Sequence, residues 1–138
     1  MSVVMPTLNS KRTIRESLQS IVLQDYPKEN IEILVVDGGS TDGTQEIALE
    51  FGARVIDAGY RDNMEPRRSV GLFQAKNQIV AYIDSDNILP NSNYFREMVQ
   101  PFVDFQDVIG TQTWRFGLKP GFSAFNRYCA LVGNNDPV

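Results

Sequence analysis

The sequence predicts a single α/β domain over residues 1–138, Rossmann-like, with a mainly parallel sheet and helices on both faces. Three observations carry that expectation. Short, nearly continuous apolar runs recur (SVVMP at 2–6, IEILVV at 31–36, IVAYI at 79–83), as strands buried on both faces require. Segments with apolar residues at helical spacing alternate with them. Polar turn residues follow the carboxyl end of each run, where open parallel sheets hold ligands.

Taken in order, 2–6 is the first strand. In TIRESLQSIVLQ (13–24), Ile14, Leu18, Ile21 and Val22 share a helical face, Thr13 and Glu16 have capping-box spacing, and Pro27 is the expected stop. The second strand, 31–36, runs into DGGSTDGT (37–44). Its Ser, Thr and Asp residues are cap candidates for a helix carrying Ile47, Ala48 and Phe51 and closed by Gly52. ARVID (53–57) reads as a third strand, Pro66 as a helix first-turn residue before 70–75, and 79–83 as a fully buried fourth strand. Ser92 is the expected cap of a short helix with Phe95, Met98 and Val99, and VIGTQTW (108–114) the fifth strand. A further short helix is expected around Ser123 to Leu131.

Composition restricts the chemistry. At 42% hydrophobic residues the chain can bury a core, and its lone Cys129, read as packing, excludes an intramolecular disulfide. There is no histidine, which removes the usual base near neutral pH, Ser-His and Cys-His nucleophiles, and His-containing zinc sites. Catalysis would rest on carboxylates, Arg or Lys, hydroxyls and a hard metal. A net charge of −4 argues against nucleic acid as a partner. No segment approaches the roughly 18 apolar residues of a membrane span, and the N-terminus lacks a signal-peptide layout.

Two motifs stand at strand ends. In IDSDN (83–87), Asp84 and Asp86 bring two carboxylates to one turn; left alone they repel, and a divalent cation, Mn2+ or Mg2+, would relieve the conflict. The plain alternative is a solvated turn before Pro90. DGGSTDGT lacks both the GxGxxG fingerprint and the P-loop lysine, but sets Asp37 at a buried strand end, before two glycines and a helix start. Arg67 could grip phosphate but is read as a solvated residue at a helix start, and Trp114, Phe116, Phe122, Phe125 and Tyr128 are read as core, with a lipid or acceptor surface or an interface as the alternatives.

PTLN after the first strand, VVDGGSTDGT after the second, the Arg-x-x-Gly element Arg68 to Gly71, and YIDSDN after the fourth together resemble the nucleotide-sugar-binding half of family 2 glycosyltransferases of the GT-A fold, over roughly 2–100. The resemblance implies that Pro6, Thr7 and Asn9 line the nucleotide pocket with Gly39 and Ser85. It also implies that Asp37 contacts the base, usually uracil, and that Arg68 helps hold the nucleotide. Asp84 would lie against ribose or sugar, and Asp86 would ligate a metal bridging the diphosphate, with Asp84 as a second ligand of this DxD motif. Three departures stand out: Ser10 where an acidic residue is frequent, Gly38 where DDG is commoner than DGG, and Ser69 in place of Asn.

The implied function is metal-dependent, inverting transfer of a sugar from a nucleotide-diphosphate donor, with UDP expected, to a glycan or lipid-linked phosphate. Asp136 is the one acid after Asp107 and a weak candidate for the catalytic base, so either the acceptor is an already ionised phosphate that needs no base or, as the favoured expectation, the chain is a truncated donor-binding part of a longer enzyme; the two can both hold. Such an enzyme would work in the cytoplasm, with peripheral association at the inner membrane face as a further possibility. A silent nucleotide-sugar-binding module and a nucleotidyltransferase of related architecture remain alternatives.

Overall fold

A computed structural model of the chain describes residues 1–112. Residues 1–93 form one compact unit, and the described residues from Tyr94 belong to a second. The first unit holds β1 (Ser2–Thr7), α1 (Ile14–Val22), β2 (Glu32–Asp37), α2 (Thr44–Glu50), β3 (Arg54–Asp57), α3 (Met64–Gln74) and β4 (Val80–Tyr82). The strands form a parallel sheet in the order β3-β2-β1-β4, with Thr7, Asp37 and Asp57 in one row at its carboxyl edge. All six residues of β1 are buried, as are Leu34 to Asp37 in β2, which is why these two runs read so clearly as strands.

The β-α-β-α-β succession runs outward from β1 to β3, and α3 carries the chain back over β2 and β1 to β4. Strand order therefore reverses between β1 and β4. The pairing of those two strands also ends early, at Ser2–Val4 against Val80–Tyr82, with a last bond from the Ile83 amide to the Val4 carbonyl. Alternation along β1 turns Ser2 and Val4 toward β4, so the next residue facing that way is Pro6. Its missing N–H costs no ladder bond, because β4 has already turned away. The switch point of the sheet, where open α/β sheets hold ligands in a crevice, thus falls between the carboxyl ends of β1 and β4.

Helix α3 sits close because Gly71 faces the sheet. A Cβ there would collide with the Val4 side chain and lie 3.1 Å from Val36. Val4, Leu34 and Val36 form the buried cluster on this side, with Val70, Ala75 and Val80 packed against it. On α1, Ile14, Leu18 and Ile21 are buried, as the helical spacing required. α1 packs against α2, whose Ile47 and Ala48 are buried.

Several local expectations are corrected. Thr13 precedes α1 but forms no capping box: its backbone is already near helical (φ −119°, ψ −32°) and its hydroxyl faces the Ser10 carbonyl. α1 ends at Val22, ahead of Pro27, where Lys28 Nζ donates to the carbonyls of Val22 and Gln24. Pro66 does lie in the first turn of α3, as expected; the helix begins at Met64 and is capped by Asn63 Oδ1, which accepts from the Glu65 amide. β4 is half-buried rather than fully buried, with Tyr82 47% exposed, because it lies at the edge of the described sheet.

In the second unit, α4 (Tyr94–Asp104) buries Phe95 and runs through Pro101, longer than the short helix expected. The run 108–112 is not a strand: it pairs with nothing among the described residues, and Ile109 is fully exposed, so neither ladder nor burial supports one. Residues 113–114, the aromatic set from Trp114 to Tyr128, the helix around Ser123 to Leu131, Cys129 and Asp136 lie outside the described residues.

Gly71→Ala is expected to cost about 2 kcal/mol or more in urea unfolding, through forced separation of α3 from the sheet. A change below about 0.5 kcal/mol would show that α3 does not pack this tightly.

Candidate functional site

The carboxyl ends of β1 and β2 are fastened by Asp37. Its register partner Thr7 donates a hydroxyl hydrogen bond to Oδ1 at 3.0 Å, and Ser40 donates its hydroxyl to the same oxygen. The amides of Gly39 and Ser40 and the Gln45 side chain donate to Oδ2 at 2.7–2.9 Å. Asp37 has no exposed surface. Burial alone would raise its pKa, but the donors from Ser40, Gln45 and Thr7 outweigh that and hold the carboxyl below its ordinary value. Gly39 adopts φ +89°, which lets its amide turn back to Asp37. A base contact by Asp37, implied by the sequence resemblance, would require one of these donors to yield.

Asn9 carries the same fastening outward. At φ 51° its amide donates to the Ser40 hydroxyl, and its Oδ1 accepts from the Thr41 amide. Ser10 then links to both neighbouring loops: its amide donates to Thr44 Oγ1, which donates to Asp42, and its hydroxyl accepts from Ser85 at 2.8 Å. The departure at Ser10 is thus a tie between the first loop and the DxD turn. Pro6, Thr7, Asn9, Asp37 and Gly39 gather on the β1–β2 side, Arg68, Asp84 and Ser85 on the β4 side, and Ser10 joins the groups.

Asp84 and Asp86 lie on a turn closed by the Asn87 amide donating to the Asp84 carbonyl. Arg68 Nη2 donates to both Asp84 oxygens, at 3.0 and 3.4 Å, while Nη1 meets Glu65 at 2.7 Å. Burial would lower the Arg68 pKa, but Asp84 and then Glu65 raise it above the ordinary value. The conflict between the two carboxylates is therefore relieved by Arg68, without requiring a cation. Asp86 is the exposed member.

Among the described residues no cluster of three or more metal-ligating side chains is present. Asp84 and Asp86 fit a hard divalent cation in one way: two carboxylates on a turn serve Mg2+ or Mn2+ when phosphate oxygens and water complete the shell.

Sequence reasoning missed Arg67. It is 6% exposed, not solvated, and donates through Nη1 to the Thr7 carbonyl. It also missed Gln45 on Asp37, and Arg61, which donates to the Gly39 carbonyl at 2.5 Å. Gly38 was the available signal for Arg67, because a missing side chain leaves room for another.

The sequence profile described as "Glycosyl transferase family 2" matches residues 2–128. The chain belongs to this family. Among proteins similar to this family 2 chain, Glycosyltransferase AglE of Haloferax volcanii is 34% identical over 90 residues, covering 62% of this chain and 30% of that protein. The crystal structure of Staphylococcus aureus TarS 1–349 in complex with UDP-GlcNAc is 33% identical with a TM-score of 0.64, covering 75% of this chain and 30% of that one. The mannosyltransferase PcManGT of Pyrobaculum calidifontis, solved with GDP-Man and Mn2+, is 28% identical with a TM-score of 0.64, over 72% and 31% respectively. This family 2 chain thus has the GT-A fold expected from its sequence, and it spans less than a third of each of those proteins. No helix among the described residues is long and apolar enough to cross a membrane.

Asp37→Asn is expected to lower stability at pH 7 by about 2 kcal/mol, since at least one buried donor loses its acceptor. With the Asp37 pKa depressed by folding, its contribution is fully present above the unfolded value of about 3.9 and is lost as pH falls through the folded value. Urea midpoints of the parent chain should therefore drop with acidification below about pH 4, and those of the Asn variant should drop less. Identical acid limbs would contradict this.

Proposed function

We propose that this chain binds a nucleotide-diphosphate sugar in the crevice between the carboxyl ends of β1 and β4, and is the donor-binding part of a glycosyltransferase. The observation that carries the reading is the division of charge at that crevice. Arg68 holds Asp84 while Asp86 is exposed on the same turn, at the point where the β1–β4 ladder stops. The donors in the names of the similar structures, UDP-GlcNAc and GDP-Man, support a nucleotide diphosphate as the ligand class.

In this reading the nucleoside lies toward Thr7, Asn9 and the Asp37 turn, and the diphosphate toward Asp86. Asp86, with Asp84 beside it, would hold Mn2+ or Mg2+; when bound, the cation neutralises charge growing on the diphosphate leaving group. Arg68 fixes the Asp84 carboxylate and adds a positive charge at the crevice wall. Ser10 holds Ser85, and so the turn, at a set distance from the first loop. None of these tasks needs histidine, in keeping with a chain that has none. Of the two nucleotides, uridine is the family-level expectation.

Calorimetric titration of UDP with and without Mn2+ tests the reading. Metal-dependent binding is expected, and Asp86→Ala should weaken it at least about tenfold, or roughly 1.4 kcal/mol. Equal affinity in the two proteins would remove the metal role, and no UDP binding by the parent chain would remove the site.

A further inference from the structure

Arg67 and Gly71 lie four residues apart on α3, on one face of the helix. Gly71 lets that face approach Val4 and Val36, and the approach carries the Arg67 guanidinium over the ends of β1 and β2. There it donates to the Thr7 carbonyl, which also accepts from the Gly38 amide at 2.9 Å. It also fills the space of a missing side chain. A Cβ at Gly38 would stand 2.6 Å from Arg67 Nη1, 3.3 Å from its Cζ and 3.3 Å from the Gly59 carbonyl oxygen. A side chain at position 38 and the guanidinium of position 67 thus compete for one space, which the arginine occupies.

Such a burial is costly, so its setting is informative. Burial lowers the guanidinium pKa and the adjacent Asp37 charge raises it in part. Nε is buried with no hydrogen-bond partner. The group is held on the Thr7–Asp37 side of the crevice, whereas the acidic turn stands at the end of β4. Arg68, next in sequence, reaches that other side and bonds Asp84. Consecutive arginines therefore serve the two halves of one crevice.

We infer that Arg67 is a positioning residue for the nucleoside half of the donor, acting in place of a side chain at position 38 by fixing the Thr7 carbonyl and the Gly38 backbone. The inference rests on the functional reading above. It makes the contribution of Arg67 independent of metal and of phosphate, unlike that of Asp86.

Uridine, UMP and UDP are titrated into the 138-residue chain and its variants with and without Mn2+, and thermal midpoints are recorded alongside. Arg67→Ala is expected to weaken all three ligands by a similar factor, roughly tenfold, the scale of a lost charge-assisted hydrogen bond, and to leave the Mn2+-induced gain for UDP unchanged. Arg67→Lys should recover part of that loss. Gly38→Ala should weaken binding in the parent chain and add nothing in the Arg67→Ala background, because both changes act on one space. Unchanged affinity in Arg67→Ala, a loss confined to UDP with Mn2+, or additive effects at 38 and 67 would each overturn the inference. If Arg67→Ala fails to fold, the same comparison is made with Arg67→Lys, where parent-like affinity for all three ligands would overturn it. Failure of the parent chain to bind UDP would overturn the functional reading together with this one; binding by the parent and by Arg67→Ala alike overturns this one alone.

Discussion

The buried carboxylate of Asp37 is the constraint on which the rest depends. An ionised group with no exposed surface is tolerable only if donors replace its water, and here the donors come from β1, from the turn after β2 and from α2. Satisfying one carboxylate therefore sets the strand-end register, the left-handed Gly39 and the start of α2 together. Asn9 and Ser10 extend the same fastening toward β4, so loops far apart in sequence share one network.

Against that fixed side the crevice has an acidic side, and the two are held by different means. On the β1–β2 side the charge is internal and its partners belong to the chain. At the end of β4 two carboxylates share one turn, Asp84 bound by Arg68 and Asp86 exposed. A ligand with a neutral heterocycle at one end and paired phosphates at the other matches that asymmetry. A plain solvated turn would not need an arginine with a buried Nε to hold it.

Legibility in the sequence followed the range of the forces involved. β1 and β2 were plain because burial on both faces leaves an unbroken apolar run. β4 has the same composition, but its exposure depends on strand order, which no local window contains. Thr13 and Glu16 had capping-box spacing, yet the side-chain cap is absent because the backbone at Thr13 is not extended. At the site, Asp37, Arg68 and Asp84 stood out through their place at strand and helix ends, while their partners did not. Arg67 looked exposed because its cover comes from Gly38 and Thr7, tens of residues away, and Gln45 bonds Asp37 from the far side of the turn. The pairing of Arg68 with Asp84 also changes the electrostatic argument: a cation is not required for the two acids to share one turn.

Anomalous diffraction from crystals of the chain grown with UDP and Mn2+ addresses this arrangement directly. The expected map places manganese on Asp86 beside the diphosphate, with Arg68 still on Asp84 and Asp37 still bonded to Thr7, Ser40 and Gln45. Manganese remote from Asp86, or Asp37 released from those donors to meet the base, would contradict it.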